Sequence, residues 1–182
     1  MSLNINFHTD IKAVERYLGR LQRDKIVKAA SRALNKTITS TRTQAVRFIA
    51  KDIGIKQKLV RDNISLYRAN RRTLQASLTA RRNRFKLIDI DPKAKQNTVG
   101  INFKGQGKRR VIPHAFIIRR TSGNKRAIVK RKGKSRYPIF ELKGPSVATV
   151  FRKNPAMTLM EKTAQVAWVK NFTRELNYEL RK

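Results

Sequence analysis

The sequence predicts an α+β fold, in which long N-terminal helices pack on a small antiparallel β-sheet and a further helix ends the chain. Apolar residues first recur every three or four positions, then alternate with polar residues, and finally return to helical spacing. A run of helices followed by a run of strands is typical of α+β proteins. We therefore predict an α+β domain over residues 1–154, with helices within 9–65 and the sheet within 73–150, and a C-terminal amphipathic helix over 155–182.

The N-terminal part of the chain predicts one short strand and three helices. Residues 3–7 alternate apolar and polar side chains, as a half-buried strand does. Residues 9–22 begin with a Thr-Asp pair that can cap a helix. A longer helix is predicted over residues 25–52, because its apolar positions recur at spacings of three and four and Gly54 can end it. Residues 56–65 predict one or two more helical turns.

The middle of the chain predicts the strands of the sheet. Residues 73–80 alternate strictly between Leu or Ala and polar side chains, and residues 99–103 repeat the two-residue period. Further strands are predicted within 111–118, 127–130 and 137–142. Glycines separate several of these segments, so flexible loops are expected between them.

The C-terminal segment returns to helical spacing with one apolar row, formed by Met160, Ala164, Trp168, Phe172, Leu176 and Leu180. Such a stripe is buried either against the sheet of the same chain or against a neighbouring subunit. If the helix projects from the domain, the candidates for a subunit contact are Trp168, Phe172 and Leu176.

Charge is the strongest compositional feature. The 182 residues include 44 Lys and Arg against 11 Asp and Glu, which gives a formal net charge of +33. Residues 81–153 alone hold 22 of the basic and 3 of the acidic side chains. A compact chain of this charge repels itself, so it gains from a polyanionic or acidic neighbour.

Composition also excludes several classes of protein. The chain has no cysteine, which excludes a disulfide framework and zinc bound by thiolates. No apolar run approaches the roughly 20 residues that span a bilayer, and the N-terminus has no signal-peptide pattern. We expect a soluble protein without a membrane partner.

A dense basic cluster occupies residues 104–136, where glycines indicate two loops that stand off the sheet. Three interpretations are open: contact with nucleic acid, contact with acidic protein, or a solvated face. Few aromatic residues interleave with the cations, so nucleic-acid contact would be directed at the phosphate backbone and indifferent to sequence. The candidate contact residues are Lys104, Lys108, Arg109, Arg110, Arg119, Arg120, Lys125, Arg126, Lys130, Arg131, Lys132, Lys134 and Arg136.

Catalytic chemistry has little support in the sequence. Asp89 and Asp91 alternate along a predicted strand and could hold a divalent metal ion with His114. The sequence around them is equally typical of a strand that enters an Asp-Pro turn, and Gly105 and Gly107 are not followed by the helix of a nucleotide-binding loop. We predict no catalytic residues, no metal site and no cofactor.

Five short motifs occur in order within residues 25–150. Ala-Leu-Asn-Lys-Thr at 33–37 and Thr-Arg at 41–42 lie in the long helix, His-Ala-Phe-Ile at 114–117 lies in a strand, and Arg-Tyr-Pro-Ile at 136–139 precedes Leu-Lys-Gly-Pro-Ser-Val at 142–147. In this order and spacing they resemble the prophage minor tail protein Z family.

This resemblance implies a structural virion protein of a long-tailed phage or prophage, without enzymatic activity. It implies a role in tail completion and head-tail joining at the head-proximal end of the tail. The motif residues have structural roles in this interpretation: Gly144 permits a turn and Pro145 ends strand pairing. The matching positions in this sequence are Asn35, Arg42, Pro138, Gly144, Pro145 and Ser146.

The resemblance also implies partners and a location. The partners are other tail and neck proteins, such as a tail terminator and a head-tail connector, and the genomic double-stranded DNA in the channel. A homo-oligomeric ring is expected, since such junctions have cyclic symmetry. The protein would reside in the virion and, during assembly, in the host cytoplasm.

Two other functions fit parts of the sequence. A sequence-nonspecific nucleic-acid-binding protein of ribosomal or nucleoid type explains the charge and leaves the ordered motifs unexplained. A metal-dependent nuclease would use Asp89 and Asp91.

Overall fold

A computed structural model describes residues 20–105, 107–119, 126–152 and 154–181. It confirms the predicted fold class: a long N-terminal helix, small antiparallel sheets and a C-terminal helix. The predicted strand at 3–7 and nearly all of the predicted helix at 9–22 lie outside the described residues.

The helices are α1 (Arg20–Ile53), α2 (Gln57–Asp62), α3 (Leu87–Ile90), α4 (Val147–Phe151) and α5 (Asn154–Leu180). Helix α1 runs through the break that the sequence predicted between residues 22 and 25, because no Gly or Pro interrupts it. It ends where predicted: Gly54 adopts a left-handed φ of 83° and donates its N–H to the carbonyl of Ala50 at 2.9 Å.

Ten strands form four small antiparallel sheets in the described residues, in the orders β1-β2, β10-β3, β4-β5-β6 and β7-β8-β9. The strands are β1 (Ile64–Tyr67), β2 (Ser77–Ala80), β3 (Arg84–Lys86), β4 (Lys95–Gln96), β5 (Gly100–Gly105), β6 (Lys108–Pro113), β7 (Ala115–Arg119), β8 (Arg126–Arg131), β9 (Ile139–Glu141) and β10 (Lys143–Ser146).

Two of the strands predicted within 73–150 have different bounds in the structure, and a third, around Asp89, is replaced by α3. The strand predicted over 111–118 is divided into β6 and β7, because His114 takes a left-handed φ of 59° directly after Pro113, which has no N–H to donate. The strand predicted over 73–80 begins only at Ser77. Before it, the Asn70 side chain accepts hydrogen bonds from the N–H groups of residues 72 and 73 and so holds that segment in a turn.

The main core lies where α1 meets α5 and the sheets. The α1 residues Ala29, Ala30 and Ala33 have no exposed surface, and small side chains allow helices to approach closely. From α5, Met160 and Trp168 enter the same core. The apolar row predicted over the C-terminal segment therefore packs mainly on the long helix and not on the sheet as predicted, and Leu180 at its end is exposed.

Polar contacts cross the same helix pair. The Glu179 carboxylate of α5 pairs with the Arg32 guanidinium and, at 3.3 Å, with the Lys28 ammonium of α1. One turn along, Glu175 pairs with Lys36. Both carboxylates are at least nine-tenths buried, and buried charges need such partners. The spacing of four residues on both helices fixes their antiparallel register.

Candidate interface for an anionic partner

The β5-β6 hairpin carries the first group of predicted contact residues. Lys104 lies directly opposite Arg109, and Lys108 pairs with Gly105 at the end of the hairpin. Lys104, Lys108, Arg109 and Arg110 are all exposed. Like charges directly opposite each other destabilise a strand pair, so the repulsion between these cations lowers the stability of the hairpin.

The β7-β8 hairpin repeats the arrangement. Arg119 and Arg126 face each other at the last pair of the ladder, and both are exposed. The predicted contact residues Arg120 and Lys125 fall in the segment between these strands and lie outside the described residues. We call the exposed cations of the two hairpins, Lys104, Lys108, Arg109, Arg110, Arg119 and Arg126, the basic surface.

The turn after α3 holds both hairpins. The backbone N–H of Lys104 donates to Asp91 Oδ2 at 2.8 Å, and the Arg126 guanidinium donates to the carbonyl of Pro92 at 2.5 Å. The other oxygen of Asp91 accepts the N–H of Lys93 at 3.1 Å. Asp91 therefore joins the basic surface to the fold and closes an ordinary turn.

Asp89 lies in α3 and not in a strand, so the alternation with Asp91 that suggested a shared metal ion is not present. Among the described residues, no group of three or more His, Cys, Asp and Glu side chains could hold a metal ion.

A cleft lies beside the β7-β8 pair. Its volume is about 730 Å³. One wall is the turn at residues 96–100, and the other is the run Lys130, Arg131, Lys132 and Lys134 at the end of β8 and beyond it. We call it the cationic cleft. Arg136 is exposed two residues beyond this run, with its guanidinium 5.9 Å from the ring centre of Tyr137.

Carboxylates do not neutralise these cations in the part of the chain that the structure describes. Ion pairs to glutamates are made there by other cations, among them Lys28, Arg32, Lys36 and Lys86. The described members of the predicted contact set make no such pair. Both the basic surface and the cationic cleft therefore present uncompensated positive charge to the surroundings.

Two of the predicted motif residues join α1 to the segments that follow it. The Asn35 amide bonds to both backbone groups of Ala69: it donates to the carbonyl at 2.9 Å and accepts the N–H at 2.8 Å. The Arg42 guanidinium donates to the carbonyls of Arg61 and Ile64, each at 3.0 Å. These contacts support the structural roles proposed for Asn35 and Arg42.

The Gly-Pro-Ser motif lies in β10 and at the start of α4. Gly144 is part of the strand and not of the expected turn, and a Cβ there would lie 2.5 Å from Ile90 Cδ1, so close packing explains the glycine. Pro145 lies where the β10-β3 register shifts. The Ser146 hydroxyl accepts the Thr149 N–H at 3.2 Å and caps α4.

Pro138 follows a cis peptide bond, and its carbonyl accepts the Lys132 N–H at 3.1 Å. This hydrogen bond links the segment before β9 to the wall of the cationic cleft.

The predicted subunit-contact residues lie near α1. Trp168 is 8% exposed and stacks on Phe172, with ring centres 5.1 Å apart. Phe172 and Leu176 are half-buried. The strongly exposed apolar residues of α5 are instead Val166 and Val169, at 73% and 65%. Sequence reasoning did not select these two as contact candidates because it followed the longest apolar row.

The model of the prophage minor tail protein Z family matches residues 11–182, so the chain belongs to that family. The predicted resemblance is confirmed, and with it the class of protein: a phage tail protein.

A relative is the tail completion protein Z of Escherichia phage lambda. It is 26% identical over 160 residues, which are 79% of this chain and 82% of the relative. No solved structure matches the chain. In the described residues, no helix is both long and apolar enough to cross a membrane.

Proposed function

We propose that this tail protein acts in tail completion and joins the tail to the head at the head-proximal end of the tail. The family and the lambda relative support a role in the tail. The observation that carries the proposal is the basic surface, which is held on one turn and has no carboxylate partner among the described residues. Uncompensated charge of this density disfavours the compact state until an anionic neighbour offsets it.

The junction between head and tail offers two such neighbours. One is the genomic double-stranded DNA in the channel, and the other is an acidic surface of an adjoining protein, such as a tail terminator or a head-tail connector. The basic surface would recognise either neighbour by its charge. On DNA no base-specific contact is needed, since phosphate contacts give affinity that is independent of sequence.

A closed ring of copies is the proposed state in the virion. Ring contacts join two different surfaces of neighbouring copies. The outer face of α5, with Val166 and Val169 exposed and Phe172 and Leu176 at its margin, supplies one apolar surface for such a contact. The chain would act there through contacts and not through catalysis.

The test uses the virion of the source phage, from which tails and intact particles are separated on gradients. Mass spectrometry measures the copy number of the chain, and gold-labelled antibody locates it along the tail. We expect a fixed low copy number and label at the head-proximal end. Tails made without the chain should fail to join heads and should recover when the purified protein is added.

Other distributions would contradict the proposal. Recovery of the chain in ribosome or nucleoid fractions, with none in particles, would favour the cellular nucleic-acid-binding alternative. Label at the opposite end of the tail would retain the tail assignment and reject the head-proximal position.

A further inference from the structure

The cationic cleft differs from the basic surface in shape and in lining. The basic surface lies on two hairpins, whereas the cleft is concave between the turn at residues 96–100 and the run at 130–134. Its volume of about 730 Å³ lies within the range of about 300–1,000 Å³ that is typical of sites for small ligands. No Asp or Glu occurs among its lining residues, and four of them are Lys or Arg.

The walls of the cleft are held before any ligand binds. In the turn at 96–100, the Asn97 side chain accepts the Gly100 N–H at 2.8 Å, and the Asn97 N–H donates to the Gly100 carbonyl at 2.8 Å. On the other wall, the Lys132 N–H donates to the Pro138 carbonyl at 3.1 Å. A site formed in advance loses less entropy when its ligand binds.

One cation of the cleft is oriented by an aromatic ring. The Arg131 guanidinium lies 5.3 Å from the centre of the Phe116 ring, within the distance of a cation–π contact. Arginine in this position offers a planar set of N–H donors that matches a carboxylate. The guanidinium also covers a face of the ring, so that face is not available to stack on a nucleic-acid base.

The cleft also contains apolar surface. Val99 is 62% exposed at its margin, and the half-buried Phe116 and buried Ala115 lie in its lining. An acidic peptide can bury an apolar side chain against these residues, whereas the charged phosphates of a nucleic-acid backbone cannot.

We propose that the cationic cleft binds an acidic, apolar-containing segment of a partner protein in one extended stretch. The carboxylates would pair with Arg131, Lys132 and Lys134, and an apolar side chain would cover Val99. The identity of the partner as a tail or neck protein rests on the proposed function. The acidic and apolar character of the bound segment rests on the lining of the cleft alone.

The test measures fluorescence anisotropy of labelled probes with the full-length protein. The probes are an Asp/Glu-rich peptide with one central Leu, the same peptide with Ser in that position, and a short DNA duplex of equal net charge. The variant removes three cleft charges: Arg131→Gln, Lys132→Gln and Lys134→Gln. The matched control removes three charges from the basic surface: Lys104→Gln, Lys108→Gln and Arg109→Gln.

We expect the cleft variant to weaken binding of the Leu peptide by about tenfold or more, and the control by less than about threefold. The Leu peptide should bind more tightly than the Ser peptide, and Val99→Ser should remove that difference. Val99 is exposed, so this variant keeps the fold. Near-ultraviolet circular dichroism of each variant verifies folding.

Three results would overturn the proposal. Equal weakening by the two triple variants would mean that only the total charge matters. Duplex binding tighter than peptide binding, and weakened chiefly by the cleft variant, would assign the cleft to nucleic acid. No difference between the Leu and Ser peptides would remove the apolar part of the site. None of these results bears on the presence of the chain in tails, which the particle measurements decide separately.

Discussion

The side-chain amide of Asn35 pairs with both backbone groups of Ala69, as a neighbouring strand would do. Ala69 is only 5% exposed and lies between β1 and β2, where it has no strand partner. The amide thus satisfies a buried N–H and a buried carbonyl at once, which a buried backbone requires. It connects the middle of α1 to the segment between these strands.

Replacement of Asn35 by Ala should lower the free energy of unfolding by about 2 kcal/mol, because the buried N–H of Ala69 loses its acceptor. Denaturation in urea measures the change. Asn177→Ala, at an exposed position of α5, is the matched control and should change stability by less than about 0.5 kcal/mol. Equal effects of the two variants would contradict the role assigned to Asn35.

Replacement of Glu179 by Gln should lower the free energy of unfolding by about 1–3 kcal/mol, since it removes the carboxylate that Lys28 and Arg32 share at a buried position. Thermal unfolding followed by circular dichroism measures the loss. Glu161→Gln, at an exposed site of the same helix, should have almost no effect. If both variants unfold at the same temperature as the unmodified chain, the polar contacts do not hold the helix pair.

Replacement of Gly100 or Gly144 by Ala should lower the free energy of unfolding by different amounts. At Gly100, a Cβ would lie 2.0 Å from the backbone carbonyl oxygen of Ile112, which cannot move aside, so Gly100→Ala should cost about 3 kcal/mol or more. At Gly144, the obstacle is the end of the Ile90 side chain, and Gly144→Ala should cost about 1–2 kcal/mol.

Valine in place of Ile90 lacks the obstructing Cδ1 and should recover part of the loss at Gly144. Urea denaturation of the single and double variants forms a cycle that measures this coupling. Additive costs in the cycle would show that the two residues do not compete for the same space.

Replacement of Arg109 by Glu should stabilise the chain by about 0.5 kcal/mol, because it converts the like-charged pair with Lys104 into an opposite pair. The gain should shrink as salt is added. Unfolding temperatures at low and high salt provide the measurement, with Gln165→Glu at an exposed position of α5 as a control for net charge. Destabilisation by Arg109→Glu would mean that Arg109 has a stabilising role in the hairpin.

The long helices and the fold class could be predicted because their apolar periodicity extends over many turns. Short-range patterns were less reliable. The division of one predicted strand at His114 depends on a left-handed φ, which is uncommon in residues other than glycine and which the local sequence does not indicate. The segment around Asp89 was predicted as a strand and forms a helix of four residues. The prediction was wrong because the apolar neighbours of Asp89 fit either structure.

The basic cluster could be located from the sequence, but its division into a surface and a cleft could not. That division depends on which strands pair and on the shared turn at Asp91 and Pro92, which are contacts between distant parts of the chain. The close packing that requires glycine at position 144 could likewise not be predicted, because the neighbour Ile90 lies more than fifty positions earlier in the sequence.

The ion pairs between α1 and α5 also shape the field around the molecule. Glu175 and Glu179 are two of only 11 acidic residues, and both are placed inside the chain against cations of α1. By composition, residues 154–182 have little net charge, whereas residues 81–153 have a large excess of cations. A polyanion is therefore attracted more strongly to residues 81–153 than to α5.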